Sequence, residues 1–272
     1  MGDLNLYFPQ WQGAGETKTL YTGAAAARKG LNLKERLTEI KLIAGDKLTE
    51  ENDIVGYRSI LEQLQRVKNL INEKEPRSIF TLGGGCDVEL APISYLNHIY
   101  EGDLSIIWLG AHANLVAAKG SKNKQFQGMT LRTLLGEGEA GLDAELYSKI
   151  RPQQVFLLGV SEPEESEKEY IEKNNLAWLP PEKLIWSDPR SWMEAISGHV
   201  YIHIALDILS PDTFPHVLCP AEHGLYVEQL MGIINCLEEE KHIAGLSLLG
   251  YAGTDPEPME AFKKIAALGL WI

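Results

Sequence analysis

Short runs of aliphatic and aromatic residues alternate along the chain with longer stretches in which apolar positions return every third or fourth residue. The runs fall at 4–8, 39–43, 78–82, 104–109, 154–160, 176–179, 199–208 and 243–251. Several, such as LSIIWL at 104–109, are apolar at consecutive positions, the mark of strands covered on both faces. Between them the spacing predicts helices. In 54–74, Tyr57, Ile60, Leu61, Leu64, Val67, Leu70 and Ile71 form one stripe, while Glu, Gln, Lys and Asn fill the other face. Further helices are predicted at 87–100, 188–197, 225–240 and 257–268, and the charged run 162–173 (EPEESEKEYIEK) reads as a solvated helix. Strand–helix alternation without a repeat, a low-complexity tract or a linker predicts one α/β domain over 1–272. Its core is an open, mostly parallel sheet of eight strands layered between helices.

Composition narrows the partners. The 272 residues are 44% hydrophobic and 23% charged, ordinary for a globular chain. No apolar run approaches the ~20 residues that span a bilayer. With 25 basic against 38 acidic side chains the net charge is -13, and no Lys/Arg cluster offers a surface for phosphate backbones. Nucleic acid and membrane are therefore not expected partners. The segment MGDLNLYFPQWQGAGE has no basic stretch leading into an apolar one, and the cysteines, Cys86, Cys219 and Cys236, are few and odd in number. Both features lead to an expectation of a cytoplasmic protein without disulfides. Cys219 and Cys236 read as packing residues, and the six tryptophans as core or interface.

Ligands of open α/β sheets bind beyond the carboxyl ends of the strands. Three predicted strands end in unusual segments: 78–82 in Gly83-Gly84-Gly85-Cys86-Asp87, 104–109 in Gly110-Ala111-His112-Ala113-Asn114, and 199–208 in Asp207-Ile208-Leu209-Ser210-Pro211-Asp212. Singly, each has a plain structural reading: a tight glycine turn, a hydrogen-bonded histidine, a capping aspartate. There is no GxGxxG, and GGGC lacks the GK[ST] of a phosphate loop, so nucleotide binding is not indicated.

Together the segments resemble the ureohydrolase family, which includes arginase, agmatinase and formimidoylglutamase. The family's motifs run in the order Gly-Gly-Asp-His, Asp-Ala-His-x-Asp and Asp-x-Asp-x-x-Asp-Pro. Here the corresponding residues are GGGC (83–86), GAHAN (110–114) and ALDILSP (205–211), with Glu228 in GLYVEQ on the following helix. The flanks CDVELAPISYL (86–96), GMTLRTLLGEG (128–138) and FPHVLCP (214–220) are similar to a branch with Cys in place of the first His, which includes the hydroxyarginine hydrolase of cycloserine biosynthesis.

The resemblance implies the eight-stranded, three-layer fold, trimers or hexamers, and hydrolysis of guanidino or amidino groups by a hydroxide bridging two manganese ions. The six ligand positions it implies are Cys86, Gly110, His112, Asn114, Ala205 and Asp207. Only His112 and Asp207 keep the arginase identity, and Gly110 and Ala205, the positions of the two bridging carboxylates, have no donor atom. Two Mn2+ bring four positive charges that call for oxygen ligands. Hence the binuclear manganese of the family is expected to be absent, and with it catalysis. Gln127 replaces the proton-shuttling His, Gly85 the motif aspartate, Ser210 the third aspartate, and Val116-Ala117-Ala118 an Asn-Thr-Pro that grips amino-acid substrates. The expected role is a catalytically silent relative: a regulatory or structural subunit beside an active ureohydrolase, or a binder of a guanidino or amine molecule through Gln127 and Glu228. Two alternatives keep chemistry: one zinc held by Cys86, His112 and Asp207, or a metal-free site with Cys86 as nucleophile, activated at a helix start.

Overall fold

Eight strands join in one parallel sheet. The computed structural model describes residues 3–43, 47–161, 163–221 and 223–272. The strands are β1 Asp3–Phe8, β2 Thr38–Glu39, β3 Glu50–Glu51, β4 Ile54–Val55, β5 Ser78–Gly83, β6 Leu104–Leu109, β7 Val155–Leu158, β8 Ala177–Leu179, β9 His199–Ala205 and β10 His242–Leu249. The sheet order is β2-β1-β5-β10-β9-β6-β7-β8, and β3 and β4 form a separate antiparallel hairpin. The helices are α1 Thr19–Gly30, α2 Tyr57–Lys74, α3 Leu90–Ile99, α4 Thr130–Leu134, α5 Ala140–Asp143, α6 Glu165–Asn174, α7 Pro181–Leu184, α8 Pro189–Met193, α9 Val227–Glu240 and α10 Lys263–Trp271. Among the described residues no helix is long and apolar enough to cross a membrane.

The consecutive apolar residues of the central strands alternate between two cores. In β6, Leu104, Ile106 and Trp108 face a cluster built with α2, α3, α4 and α6, while Ile107 and Leu109 face one built with α1, α9 and α10. That alternation is why both faces of the strand read as apolar. It makes three layers, as predicted.

Several boundaries differ from the sequence reading. The run 39–43 contributes only Thr38–Glu39 to the sheet, and the run 199–208 stops at Ala205, where the chain turns into a short 3-10 segment, Leu206–Ile208. The helix predicted from 54 starts at Tyr57, because Ile54 and Val55 pair in the hairpin and Gly56 turns the chain with φ 78°. The helix α1 was not predicted. Beyond Leu20 its inner face is alanine and glycine, too small to register as an apolar stripe, and it lies close to the chain beneath it. A Cβ on Gly23 would fall 1.8 Å from the Tyr251 carbonyl oxygen, so only glycine permits that approach.

A polar row crosses the apolar sheet. Thr81, Ser247, His203 and Trp108 stand side by side on β5, β10, β9 and β6. The Glu89 carboxylate reaches this row from the turn before α3. It accepts hydrogen bonds from Ser247 Oγ and from Tyr201 OH (2.6 Å), and meets His203 Nδ1 at 2.6 Å. The indole of Trp108 stacks on His203, with centroids 3.6 Å apart.

Candidate functional site

The carboxyl ends of β5, β6 and β9 converge on one crevice of about 330 Å3. Cys86, His112, Asn114, Gln127, Ala205 and Asp207 all line it. Gly110 lies buried just behind, where a Cβ would stand 3.4 Å from the Ala205 methyl and 3.6 Å from Asp207 Oδ1. Seven of the eight sequence candidates are thereby brought together. Glu228 is not: it is exposed on the first turn of α9 and is absent from the crevice wall.

The polar groups at the strand ends are already engaged with one another. Asp207 Oδ1 accepts the Ala111 backbone N–H at 2.9 Å, and its Oδ2 lies 2.9 Å from His112 Nδ1. This contact holds the His112 pKa above its ordinary value, against the opposing effect of burial. Asn114 sits at φ 54°, a conformation asparagine tolerates, and its carbonyl oxygen accepts the Leu131 and Arg132 N–H groups at the start of α4. Its side chain accepts from Trp108 Nε1 at 3.1 Å and donates through Nδ2 to the Gln127 carbonyl at 2.8 Å. Asn114 thus ties the buried polar row to the crevice rim.

Cys86 does not open an α-helix. It begins the 3-10 turn Cys86–Glu89, is buried, and its thiol pKa is pushed well up by burial and by the neighbouring carboxylates Asp207, Glu89 and Asp87. A thiol held neutral in this way is a poor nucleophile. The expected activation of Cys86 is therefore not supported.

The aspartate missing at Gly85 has a neighbour in its place. A Cβ on Gly85 would lie 2.5 Å from Asp87 Oδ1, so the Asp87 carboxyl occupies the space that a side chain at 85 would enter. Burial raises the Asp87 pKa to about 6, with Gln10 and backbone N–H groups pulling the other way. Gln10 Nε2 donates to Asp87 Oδ2, and Gln63 Nε2 donates in turn to Gln10 Oε1 at 2.6 Å.

Two lining residues escaped sequence reasoning because 162–173 looked uniformly solvated. Glu164 and Glu167 line the crevice, and Glu167 is buried. Its carboxylate accepts the Leu115 N–H at 2.9 Å and the Glu164 N–H at 3.0 Å. The Glu-x-x-Glu spacing of a capping box was the available signal. Cys219, read as a packing residue, is exposed on the crevice wall.

The binuclear manganese implied by the sequence resemblance needs a set of hard oxygen donors. Gly110 and Ala205 face each other without one, the Asn114 amide is committed at both ends, and His112 Nδ1 is committed to Asp207. Among the described residues no group of three His, Cys, Asp or Glu is placed to hold a metal ion. The donor set does not fit two manganese ions, nor do Cys86, His112 and Asp207 gather as ligands of one zinc.

Comparison with known proteins agrees with the fold. The family model described as Arginase family matches residues 20–252. The Staphylococcus aureus (strain MRSA252) arginase is 28% identical over 169 residues, covering 60% of this chain and 55% of that protein. The Bacillus subtilis (strain 168) arginase is 24% identical over 191 residues, covering 66% and 64%. The alignment thus spans less than two thirds of either relative. The structure of Entamoeba histolytica arginase in complex with L-ornithine superposes with a TM-score of 0.86 at 14% identity, covering 99% of this chain and 97% of that one.

Proposed function

Since the chain belongs to the arginase family, we propose that it is a ligand-binding member of that family, whose crevice receives a guanidino or amine cation without a two-metal hydrolytic centre. The observation that carries this reading is the commitment of the strand-end polar groups to each other and to the scaffold, above all the Asn114 amide between Trp108 and the Gln127 carbonyl. Charge supplies the rest. Asp207, Glu164 and Glu167 line the crevice, and no lysine or arginine among the described residues does. A concave site with three carboxylates and no lysine or arginine favours an organic cation that can donate hydrogen bonds. The ornithine held by the Entamoeba histolytica arginase is one such amine. Binding of this kind serves a regulatory subunit beside an intact relative as well as a free-standing sensor.

The test is elemental analysis after manganese-supplemented expression, together with assays for urea and ammonia release from arginine and agmatine. The expected result is no stoichiometric manganese, no release above a metal-free blank, and thermal stabilisation by agmatine that Asp207→Asn erases. Two manganese equivalents per chain, with turnover abolished by His112→Ala, would overturn the proposal. Co-expression with an intact relative, followed by size-exclusion chromatography, separates subunit from sensor.

A further inference from the structure

The loop at 116–125 borders the crevice on one side and a second concavity of about 440 Å3 on the other. Both are lined by Val116, Asn123, Gln125, Gly128 and Glu164, so the two adjoin along this loop as the two ends of a cleft. The two ends differ in charge. The crevice end carries Asp207 and Glu167, whereas the outer end sets four cations, Lys119, Lys122, Lys173 and Arg132, against two carboxylates, Glu164 and Glu169. In a chain of net charge -13, a concavity whose lining has four cations and only two carboxylates runs against the composition.

Three of these cations are open. Among the described residues Lys119, Lys122 and Lys173 make no ion pair, although Lys124 in the same loop pairs with Glu50 and Asp53, and Lys168 on α6 pairs with Glu165. Arg132 is fixed: its guanidinium lies 3.7 Å over the Tyr170 ring and meets Glu137 at 2.8 Å. Ser121 and Ser166 add hydroxyl donors to the wall. A carboxylate offers two oxygens to such a set, and a phosphate monoester offers three with higher charge. Lysine ammonium groups suit it as rotatable point charges.

We propose that this outer end binds a phosphate-sized dianion, so that the ligand of the cleft is a small zwitterion with a phosphomonoester at the lysine end and an ammonium or amidinium at the carboxylate end. The cationic half of this statement rests on the reading of the crevice given above; the anionic half does not.

Calorimetry with inorganic phosphate, a homologous series of ω-aminoalkyl phosphates, and the matching alkylamines tests it, at constant ionic strength set with chloride. One member of the series is expected to bind at least about tenfold more tightly than inorganic phosphate or its own amine, because the second contact becomes intramolecular. The exposed-residue variant Lys119→Gln/Lys122→Gln/Lys173→Gln should lose the gain from phosphate and keep amine binding, and Asp207→Asn should do the reverse. Phosphate binding no stronger than that of chloride, or unchanged in the triple variant, overturns the anion site. Phosphate binding that survives while every amine fails overturns the zwitterion and the crevice reading, and leaves a site for free phosphate.

Discussion

Replacing Asn114 by aspartate restores the residue type of a family metal ligand and changes little in shape, yet it is expected to destabilise the fold. Aspartate accepts the left-handed backbone and still accepts from Trp108 Nε1. What it loses is the Nδ2 donor, 2.8 Å from the Gln127 carbonyl, where a carboxylate oxygen would face another oxygen. The residue is 6% exposed, so water does not readily substitute. Loss of the hydrogen bond costs about 1 kcal/mol, and the unpaired carbonyl and buried charge add about 1–3 kcal/mol. An expected loss of about 2–4 kcal/mol at neutral pH follows. The sign of the pH dependence is fixed by the same geometry. Burial and oxygen–oxygen repulsion raise the folded-state pKa of the introduced carboxyl above its unfolded value. The deficit is therefore full above that folded value, and shrinks as pH falls through it, once the protonated acid can donate to the carbonyl. Urea denaturation of Asn114→Asp and wild type at neutral and mildly acid pH, with manganese present and absent, measures this. Equal midpoints at neutral pH without metal would refute the claim that the amide is committed. Stability regained only with manganese would instead contradict the reading of a crevice without a two-metal centre.

The fully buried Glu89 accepts from Tyr201 and Ser247 and meets His203, so Glu89→Gln should lose about 3 kcal/mol or more in the same assay; a change within about 0.5 kcal/mol would show the network to be energetically idle. Alkylation mapped by mass spectrometry should find exposed Cys219 modified well before buried Cys86 near neutral pH. A faster Cys86 would revive thiol chemistry at that position. The raised His112 pKa means its pairing with Asp207 stabilises the fold fully below the unfolded value near 6.5 and fades as pH rises through the folded value. Histidine NMR titration should show that upshift vanish in Asp207→Asn. Gly85→Asp should lower the melting temperature sharply, and Asp87→Ser in the same chain should recover part of the loss, because the clash is with the Asp87 carboxyl.

The legible parts of this protein were those in which one strand serves two cores. In β5, β6 and β9, consecutive apolar residues and the abrupt change to Gly, His, Asn and Asp at their ends marked the sheet and the end where a site should lie, while the resemblance to the ureohydrolase family named the seven positions, Gln127 in its 3-10 segment among them. The illegible parts share a cause: their residues act through partners far along the chain. Glu167 looks like any helix-surface carboxylate until Leu115, 52 residues earlier, donates to it. His203 looks like one polar break in an apolar strand until Glu89, 114 residues away, meets it. Glu228 shows the opposite error. The family resemblance implied a site residue, but the first turn of α9 leaves it in solvent.

The exchange between Gly85 and Asp87 bears on how this chain can change in future. An aspartate cannot be placed at position 85 while the carboxyl of Asp87 fills its space, and removing Asp87 leaves the Gln10 amide without its acceptor. Asn114 is bound in the same way by Trp108 and the Gln127 carbonyl. Introducing the aspartates of the family's motifs at 85 and 114 one at a time is therefore expected to begin with steps that weaken the fold. The order of substitutions then matters: a change at either position has to come with, or after, a change in the neighbours that hold it.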